Sequence, residues 1–333
     1  MDDPILALED LHAAFLTADG TVNAVNGVSF SLAKGRTLAL TGESGSGKST
    51  IGLSILNLLP YPGQISSGRV LFHGRDLLAL EQEEMRRVRG RQIAIVFQDP
   101  ATGLNPVLSI GQQVEEIIRT HLDVSKREAK RRSVEALAQM GLPDAEDVVS
   151  RYPFQLSGGM AQRVMIAIAT ALKPEVLILD EPTSALDVTV QAAILEDLMA
   201  MQQREGTSII LITHDLGVVA QLADEVAVMY AGSVAEYADV RTLFDRPRHP
   251  YTWSLLASRP RPDREERRRL TAIRGTPPSL IDLPDQCAFL PRCPKATNVC
   301  RTQPAPRAEP FEGDGHLAAC YNPIYQEDVK ESA

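Results

Sequence analysis

The sequence predicts an α/β protein: a largely parallel sheet with a helical insertion, followed by a small extension built on different principles. Three observations carry this. Short apolar runs, TLAL, IAIVF, VLILD and SIILI, alternate with helix-forming stretches, and each delivers polar residues to its carboxyl end, as buried parallel strands do. The glycine-rich stretch GESGSGKST, Gly42 to Thr50, lies directly between the first of these runs and a helix-forming run. Finally, all four cysteines and 13 of the 22 prolines come after residue 244, which marks the tail as loop-rich. These features place a boundary near Phe244, with one domain over 1–244, helical over about 102–172, and an extension over 245–333.

At 333 residues and 44% hydrophobic, the chain has ample material for a buried core. No apolar run approaches the roughly 18 to 20 residues of a membrane helix. The acidic start MDDPILALED predicts no targeting segment, hence a cytosolic chain. A net charge of -9 argues against a sequence-independent grip on nucleic acid or anionic lipid. The basic runs Lys126 to Arg132 and Arg264 to Arg269 read as solvated helix faces.

Taken in order, ILALEDLHAAF and VNAVNGVSFSL form two strands joined by a polar turn at Asp19-Gly20. Phe15 is a core or edge side chain on the plainest reading, or a platform for a nucleotide base. Thr37 to Leu40 is a buried strand feeding Gly42 to Thr50, which has the phosphate-loop pattern G-x-x-x-x-G-K-[ST]. The bare glycines Gly42, Gly45 and Gly47, with Ser44 and Ser46, offer main-chain amides to phosphate oxygens. The helix starting near Lys48 adds its positive dipole end and runs from Ile51 to Leu59, stopped by Pro60. Lys48 reaches for the terminal phosphates, Ser49 ligates Mg2+, and Thr50 completes the loop.

A further strand at Arg69 to Phe72 precedes the run that ends at Phe97 and brings Gln98 to the sheet edge. In the helical stretch, Ser125 and Glu128 fit a capping box, Val134 and Leu137 sit at core spacing, and Gly141 is a C-cap. LSGGM then opens a helix at Ser157, Gly158 and Gly159: a capping sequence, or a second anion site of bare amides. VLILDEP ends in Asp180 and Glu181, adjacent acids that repel unless a cation joins them. Strand alternation turns one towards a metal and the other towards an attacking water. Asp187 is placed to cap a helix over Val188 to Arg204 ended by Gly206. SIILIT delivers His214 to the same edge.

GESGSGKST, Gln98, LSGGM, LILDEP, SALD and THD stand in the order of the ATP-binding cassette (ABC) ATPases, and the first 240 or so residues resemble that family. The resemblance implies a P-loop ATPase domain of ABC type with its helical subdomain. ATP would be bound by Phe15, Gly42, Ser44, Gly45, Ser46, Gly47, Lys48, Ser49 and Thr50, although Tyr is commoner than Phe at the stacking position. Mg2+ would be held by Ser49, Gln98 and Asp180; Glu181 would be the general base and His214 would contact the γ-phosphate. Ser157, Gly158 and Gly159 would complete the site of a second cassette, with Asp187 at the seam. LSGGMAQRVMIAIA, HPYTWSLLASRP, IRGTPPSL and CAFLPRCPKA resemble the D-type ATPases of oligopeptide and dipeptide importers.

That branch implies two transmembrane permeases, a second, distinct ATPase forming a heterodimer, an extracytoplasmic solute-binding protein, and a peripheral place on the cytoplasmic face of the cell membrane. Nickel and other small-solute importers share the branch and stay open as alternatives. A soluble ABC ATPase of DNA repair or translation is a rival, opposed by the charge, the single cassette and the lack of heptads. A catalytically poor, nucleotide-clamped partner is opposed by Glu181 and His214.

Four clustered thiols in a cytosolic chain read first as metal ligands. Cys287-x5-Cys293-x6-Cys300-x19-Cys320 lacks the CxxC pairs of zinc ribbons, which lowers zinc without removing it. His316 is a substitute ligand if the metal is zinc. Four-cysteine sites also hold [4Fe-4S] clusters, and the resemblance implies one here, with zinc and free or paired thiols as the alternatives.

Overall fold

The computed structural model describes residues 3–184, 186–258, 273–311 and 315–325. The basic run Arg264 to Arg269 lies outside the described residues. In chain order the strands are β1 (Leu6–Thr17), β2 (Gly20–Leu32), β3 (Thr37–Thr41), β4 (Gly63–Phe72), β5 (Arg75–Asp76), β6 (Ile93–Val96), β7 (Val176–Asp180), β8 (Ser208–Ile212), β9 (Glu225–Tyr230), β10 (Ser233–Asp239), β11 (Glu309–Phe311) and β12 (His316–Ala318). The chain divides into two compact units: Met1–Leu6, Leu32–Thr37 and Phe72–Thr213, and Ala7–Ser31, Leu38–Leu71 and His214–Ala333.

In the first unit β6, β7 and β8 run parallel, with Ile95 opposite Ile178 and Leu179 opposite Leu211. Every residue of β7 and β8 is buried, which is why these runs are apolar without alternation. Between β6 and β7 lie the helices Pro100–Gly103, Ile110–His121, Lys126–Gln139, Ala145–Val148 and Gly158–Thr170. Ser109 and Gln112 make a complete capping box. At Ser125 only half of the expected box forms. Its hydroxyl accepts from the Glu128 amide at 3.2 Å, while the Glu128 carboxylate turns to Arg131 and Arg132 at 2.6 and 2.8 Å. Charge-assisted bonds along the helix outcompete the reach back to the cap, and the basic run gains carboxylate partners on an exposed face. Leu137 is buried, Val134 half-buried, and Gly141 follows the helix with φ 62°.

In the second unit β3 and β9 are parallel, Ala39 facing Val226, and β9 turns back into antiparallel β10. β1 lies between β2 and β4. The helix after the glycine loop, Lys48–Ile55, is shorter than expected. Asn57 adopts a left-handed φ of 48° and ends it before Pro60 is reached.

The chain after residue 244 joins this sheet. β12 pairs with β10, Leu317 facing Tyr237, and β11 pairs with β12. Tyr251 and Phe289 are fully buried and pack on Tyr230, with ring centroids 4.5 to 5.4 Å apart. Burial of such a ring stabilises by about 2–3 kcal/mol. A buried carboxylate staples the same region: Glu236 accepts from the Arg248 and His249 amides at 2.7 and 2.8 Å and meets His316 Nε2 at 2.7 Å. Those bonds satisfy a group that burial alone would make costly.

Candidate functional site

The glycine loop belongs to the second unit. β3 is buried throughout and ends at Thr41, and the loop turns at once into the helix Lys48–Ile55. Two glycines are required by space. A Cβ on Gly42 would lie 2.1 Å from the Met229 carbonyl oxygen and one on Gly47 2.1 Å from that of Ala24. Their φ values, 143° and 98°, disfavour any other residue as well. Gly45, at φ 77°, has open space where its Cβ would be.

Lys48 Nζ donates to the Gly42 and Glu43 carbonyl oxygens at 2.9 and 2.8 Å and to Ser46 Oγ at 3.2 Å. The cation thus folds back over the loop that bears it. Lys48 and Ser46 are buried, Ser44, Gly45 and Ser49 exposed, and Thr50 half-buried. Phe15, on β1, is half-buried, and a Cβ on Gly63 would lie 2.7 Å from its ring. His214 is exposed, and Asp215 beside it caps the next helix through the Gly217 amide at 2.7 Å.

The first unit gathers the carboxylates. Asp180 closes β7 and is buried. The expected strand alternation stops there, because Glu181 takes a left-handed φ of 47° while its amide donates to the Ile212 carbonyl at 2.8 Å. A turn of the chain therefore sets its direction, at a strain on the order of 1–3 kcal/mol. Gln98 Nε2 donates to Glu181 Oε2 at 2.9 Å, so two predicted site residues, each just past the end of a different strand, meet.

Ser157 caps the helix Gly158–Thr170 by accepting from the Met160 amide at 3.3 Å. Ser157 and Gly158 are exposed, and a Cβ on Gly159 would lie 2.7 Å from Val190. Asp187 caps Val188–Glu205 through the Val190 amide at 2.9 Å, and Gly206 ends that helix at φ 70°. Arg163, to which the sequence assigned no role, ties the Ser157 helix to its neighbours by pairing with Asp197 and the Met140 carbonyl.

Residues 25–184 match the ABC transporter family, and residues 235–300 match the C-terminal region of oligopeptide/dipeptide transporters. The chain is 47% identical over 321 residues to the dipeptide transport ATP-binding protein DppD of Bacillus subtilis, covering 96% of this chain and 95% of that one. It is 46% identical over 322 residues to the oligopeptide transport ATP-binding protein OppD of Escherichia coli, covering 97% and 94%. The chain belongs to the ABC transporter ATPases.

Solved structures agree. The dimeric bacterial ABC transporter cassette MJ0796 matches with a TM-score of 0.64 at 27% identity, over 71% of this chain and 99% of that one. The cassette cbiO1 of Clostridium perfringens, part of a cbiONQ transporter complex, matches at 0.63 and 32%, over 74% and 92%. The fold is that of an ABC cassette, an enzyme that binds and hydrolyses ATP. Among the described residues, no helix is long and apolar enough to cross a membrane.

The four cysteines of the ABC protein's tail line one pocket, walled by Phe289, Leu290 and Pro306. Burial pushes the Cys287 thiol up, Cys293 to about 11 and Cys320 to about 12, and the thiols' mutual repulsion adds to this. No group of three or more His, Cys, Asp or Glu among the described residues is arranged to hold a metal ion. The thiols share a pocket without closing round an ion, and the donor set, four sulfurs with no carboxylate, suits a soft metal or a cluster. His316 does not line the pocket; it is engaged with Glu236.

Sequence reasoning gave no role to Glu43, Tyr251 or Arg292. The Glu43 amide donates to Tyr251 Oη at 2.7 Å, and Arg292 forks onto the Glu43 carboxylate at 2.6 and 2.9 Å. The partners are 208 and 249 residues apart, so no local pattern announces them.

Proposed function

We propose that this chain is the ATP-hydrolysing subunit of an importer for dipeptides or oligopeptides, seated peripherally on the cytoplasmic face of the cell membrane. The observation that carries this is similarity of 46–47% over nearly the whole chain, tail included, to peptide transport ATP-binding proteins. The substrate path must lie in other chains: two permeases, a second ABC ATPase and an extracytoplasmic binding protein. In this reading residues 1–244 are the cassette, with its helical subdomain at about 102–172, and 245–333 the extension.

The residues then take the following roles. Loop amides from Gly42 to Gly47 and Lys48 hold the phosphates, with Thr50 at the loop's end, and Phe15 stacks on the base. Ser49, Gln98 and Asp180 are read as the residues that would hold Mg2+, which would supply charge neutralisation for the phosphates. Glu181 is the general base, which the Gln98 bond orients, and His214 faces the γ-phosphate. Ser157 and Gly158, exposed at a capped helix start, and the half-buried Gly159 serve the site of the opposing cassette. A groove lined by Gln98, Pro106, Phe154, Leu156 and Leu186 supports docking of a permease. Phe154 there is 75% exposed, and buried Gln162 Nε2 beside it has no hydrogen-bond partner among the described residues.

The four thiols are read as ligands of a [4Fe-4S] cluster, with zinc as the alternative, because all four line one pocket. Such a cluster would staple the extension rather than take part in hydrolysis. Protein purified without oxygen should then be brown, with about four irons per chain; colourless protein with one zinc would leave the zinc reading.

The test of the main reading is extraction from native membranes in mild detergent, followed by mass spectrometry of what co-purifies. Two polytopic permeases and a second ATPase are expected. Recovery from the soluble fraction with nucleic acid or ribosomes would overturn it.

A further inference from the structure

An acidic side chain on a phosphate-binding loop is an electrostatic liability, since it faces a ligand carrying several negative charges. Glu43 is such a residue, one position after Gly42 in GESGSGKST. Its carboxylate is gripped two-pronged by Arg292 of the C-terminal extension, Nη1 to Oε2 at 2.6 Å and Nη2 to Oε1 at 2.9 Å. The pair is largely withdrawn from water, with side-chain exposures of 5% for Arg292 and 24% for Glu43.

The guanidinium is itself fixed from other sides. Nη1 donates to Tyr230 Oη at 3.1 Å and Nε to the Arg274 carbonyl at 2.9 Å. The fully buried Tyr251 takes the Glu43 amide, so the extension holds both the main chain and the side chain of one loop residue. Lys48 in turn holds the Gly42 and Glu43 carbonyls.

Arg292 also ends a short turn, Leu290–Arg292, that is bracketed by two of the thiol-bearing residues. The Leu290 amide donates to the Cys287 carbonyl at 2.9 Å, and the Cys293 amide donates to the Leu290 carbonyl at 3.3 Å. One turn of chain thus connects the thiol pocket to the phosphate loop.

We propose that the C-terminal extension is part of the ATP site, with Arg292 a positioning residue that neutralises Glu43 and, together with Tyr251, sets the phosphate loop for the nucleotide. The proposal rests on the reading of Gly42 to Thr50 as the phosphate site. It does not depend on what the thiols hold.

The experiment is an equilibrium titration of the full chain with a fluorescent ATP analogue under non-hydrolysing conditions. Arg292→Gln leaves Glu43 uncompensated and should weaken binding about tenfold. Glu43→Gln alone should bind as well as the unchanged protein or better. The double variant should return to within about threefold of it, because the unpaired carboxylate is what repels the nucleotide. A merely structural brace would not be rescued by removing its own partner. Binding by Arg292→Gln within twofold of the unchanged protein, or a double variant as weak as Arg292→Gln, would overturn the proposal.

If Arg292→Gln does not fold, Tyr251→Phe gives the same reading, since it keeps the ring and removes only the oxygen that takes the Glu43 amide. About threefold weaker binding is expected, and unchanged binding would overturn the proposal. Lys48→Ala separates the two levels. Its loss of binding beside an unaffected Arg292→Gln would sink this proposal alone, whereas undiminished binding by Lys48→Ala would sink the phosphate-site reading and the proposal with it.

Discussion

The phosphate loop and the thiol pocket both belong to the unit that holds the extension, and they are made in opposite ways. The loop is a main-chain site. Two of its glycines are forced by carbonyls 2.1 Å from where a Cβ would stand, and the lysine of the loop bonds the loop's own carbonyls. Its shape is set by backbone sterics before any ligand arrives. The thiol pocket is a side-chain site, where burial, with repulsion from neighbouring thiols, raises Cys287 and Cys293 and pushes Cys320 to about 12. Holding thiolates there takes a positive partner. Main-chain sites therefore leave a fixed spelling in the sequence, whereas side-chain sites leave only a set of residues with flexible spacing.

Substitutions can break or sharpen that contrast. The largest effect is expected from Gly47→Ala, where a methyl group meets the Ala24 carbonyl. Nucleotide binding should weaken by roughly a hundredfold or more, with a loss of about 3 kcal/mol in stability; retention of normal affinity would break the idea of a sterically fixed loop.

Next comes pH, through a residue that lines the thiol pocket. Burial holds His249 down to about 4, against the opposing pull of Glu236. Its ordinary value in an unfolded chain is about 6.5. Below that pH the unfolded chain takes up a proton that the folded chain refuses, so stability falls as pH drops from about 6.5 to about 4, by up to about 3 kcal/mol. Denaturant melts across that range should show the decline. His249→Asn, which keeps an acceptor for the Tyr251 amide, should flatten it.

Smaller again, on the proposed reading of the thiols as cluster ligands, Cys300→Ser should lower the iron content and the melting midpoint, the latter by about 4 °C, for about 2 kcal/mol. Scanning calorimetry with metal analysis checks both. The smallest change is Gly45→Ala. Its Cβ enters open space, so only the strain of φ 77° remains, about 1 kcal/mol. A loss as large as that of Gly47→Ala would erase the distinction between the two glycines.

The same contrast explains how far the sequence could be read. Strands with unbroken apolar runs, the caps at Ser157 and Asp187 and the stop at Gly206 are local devices, and each stands where its residues place it. The end of the loop helix differs from the sequence expectation because Asn57 is left-handed before Pro60 can take effect. The box at Ser125 forms only by half because Glu128 has better partners in Arg131 and Arg132. Glu43 with Arg292, and Glu236 with His316, had no signal at all. They join residues 249 and 80 positions apart, and only the finished fold brings them together. Glu181 lay between these cases: its identity was legible, while the left-handed turn that aims it was not.

The most direct test of the account is the rate of ATP hydrolysis by Glu181→Gln, followed by sizing of the protein with ATP and Mg2+ present. The variant should lose hydrolysis by about 100-fold or more while still binding nucleotide, and should accumulate as an ATP-bound pair of cassettes. Hydrolysis at the unchanged rate would contradict the assignment of Glu181 as the base.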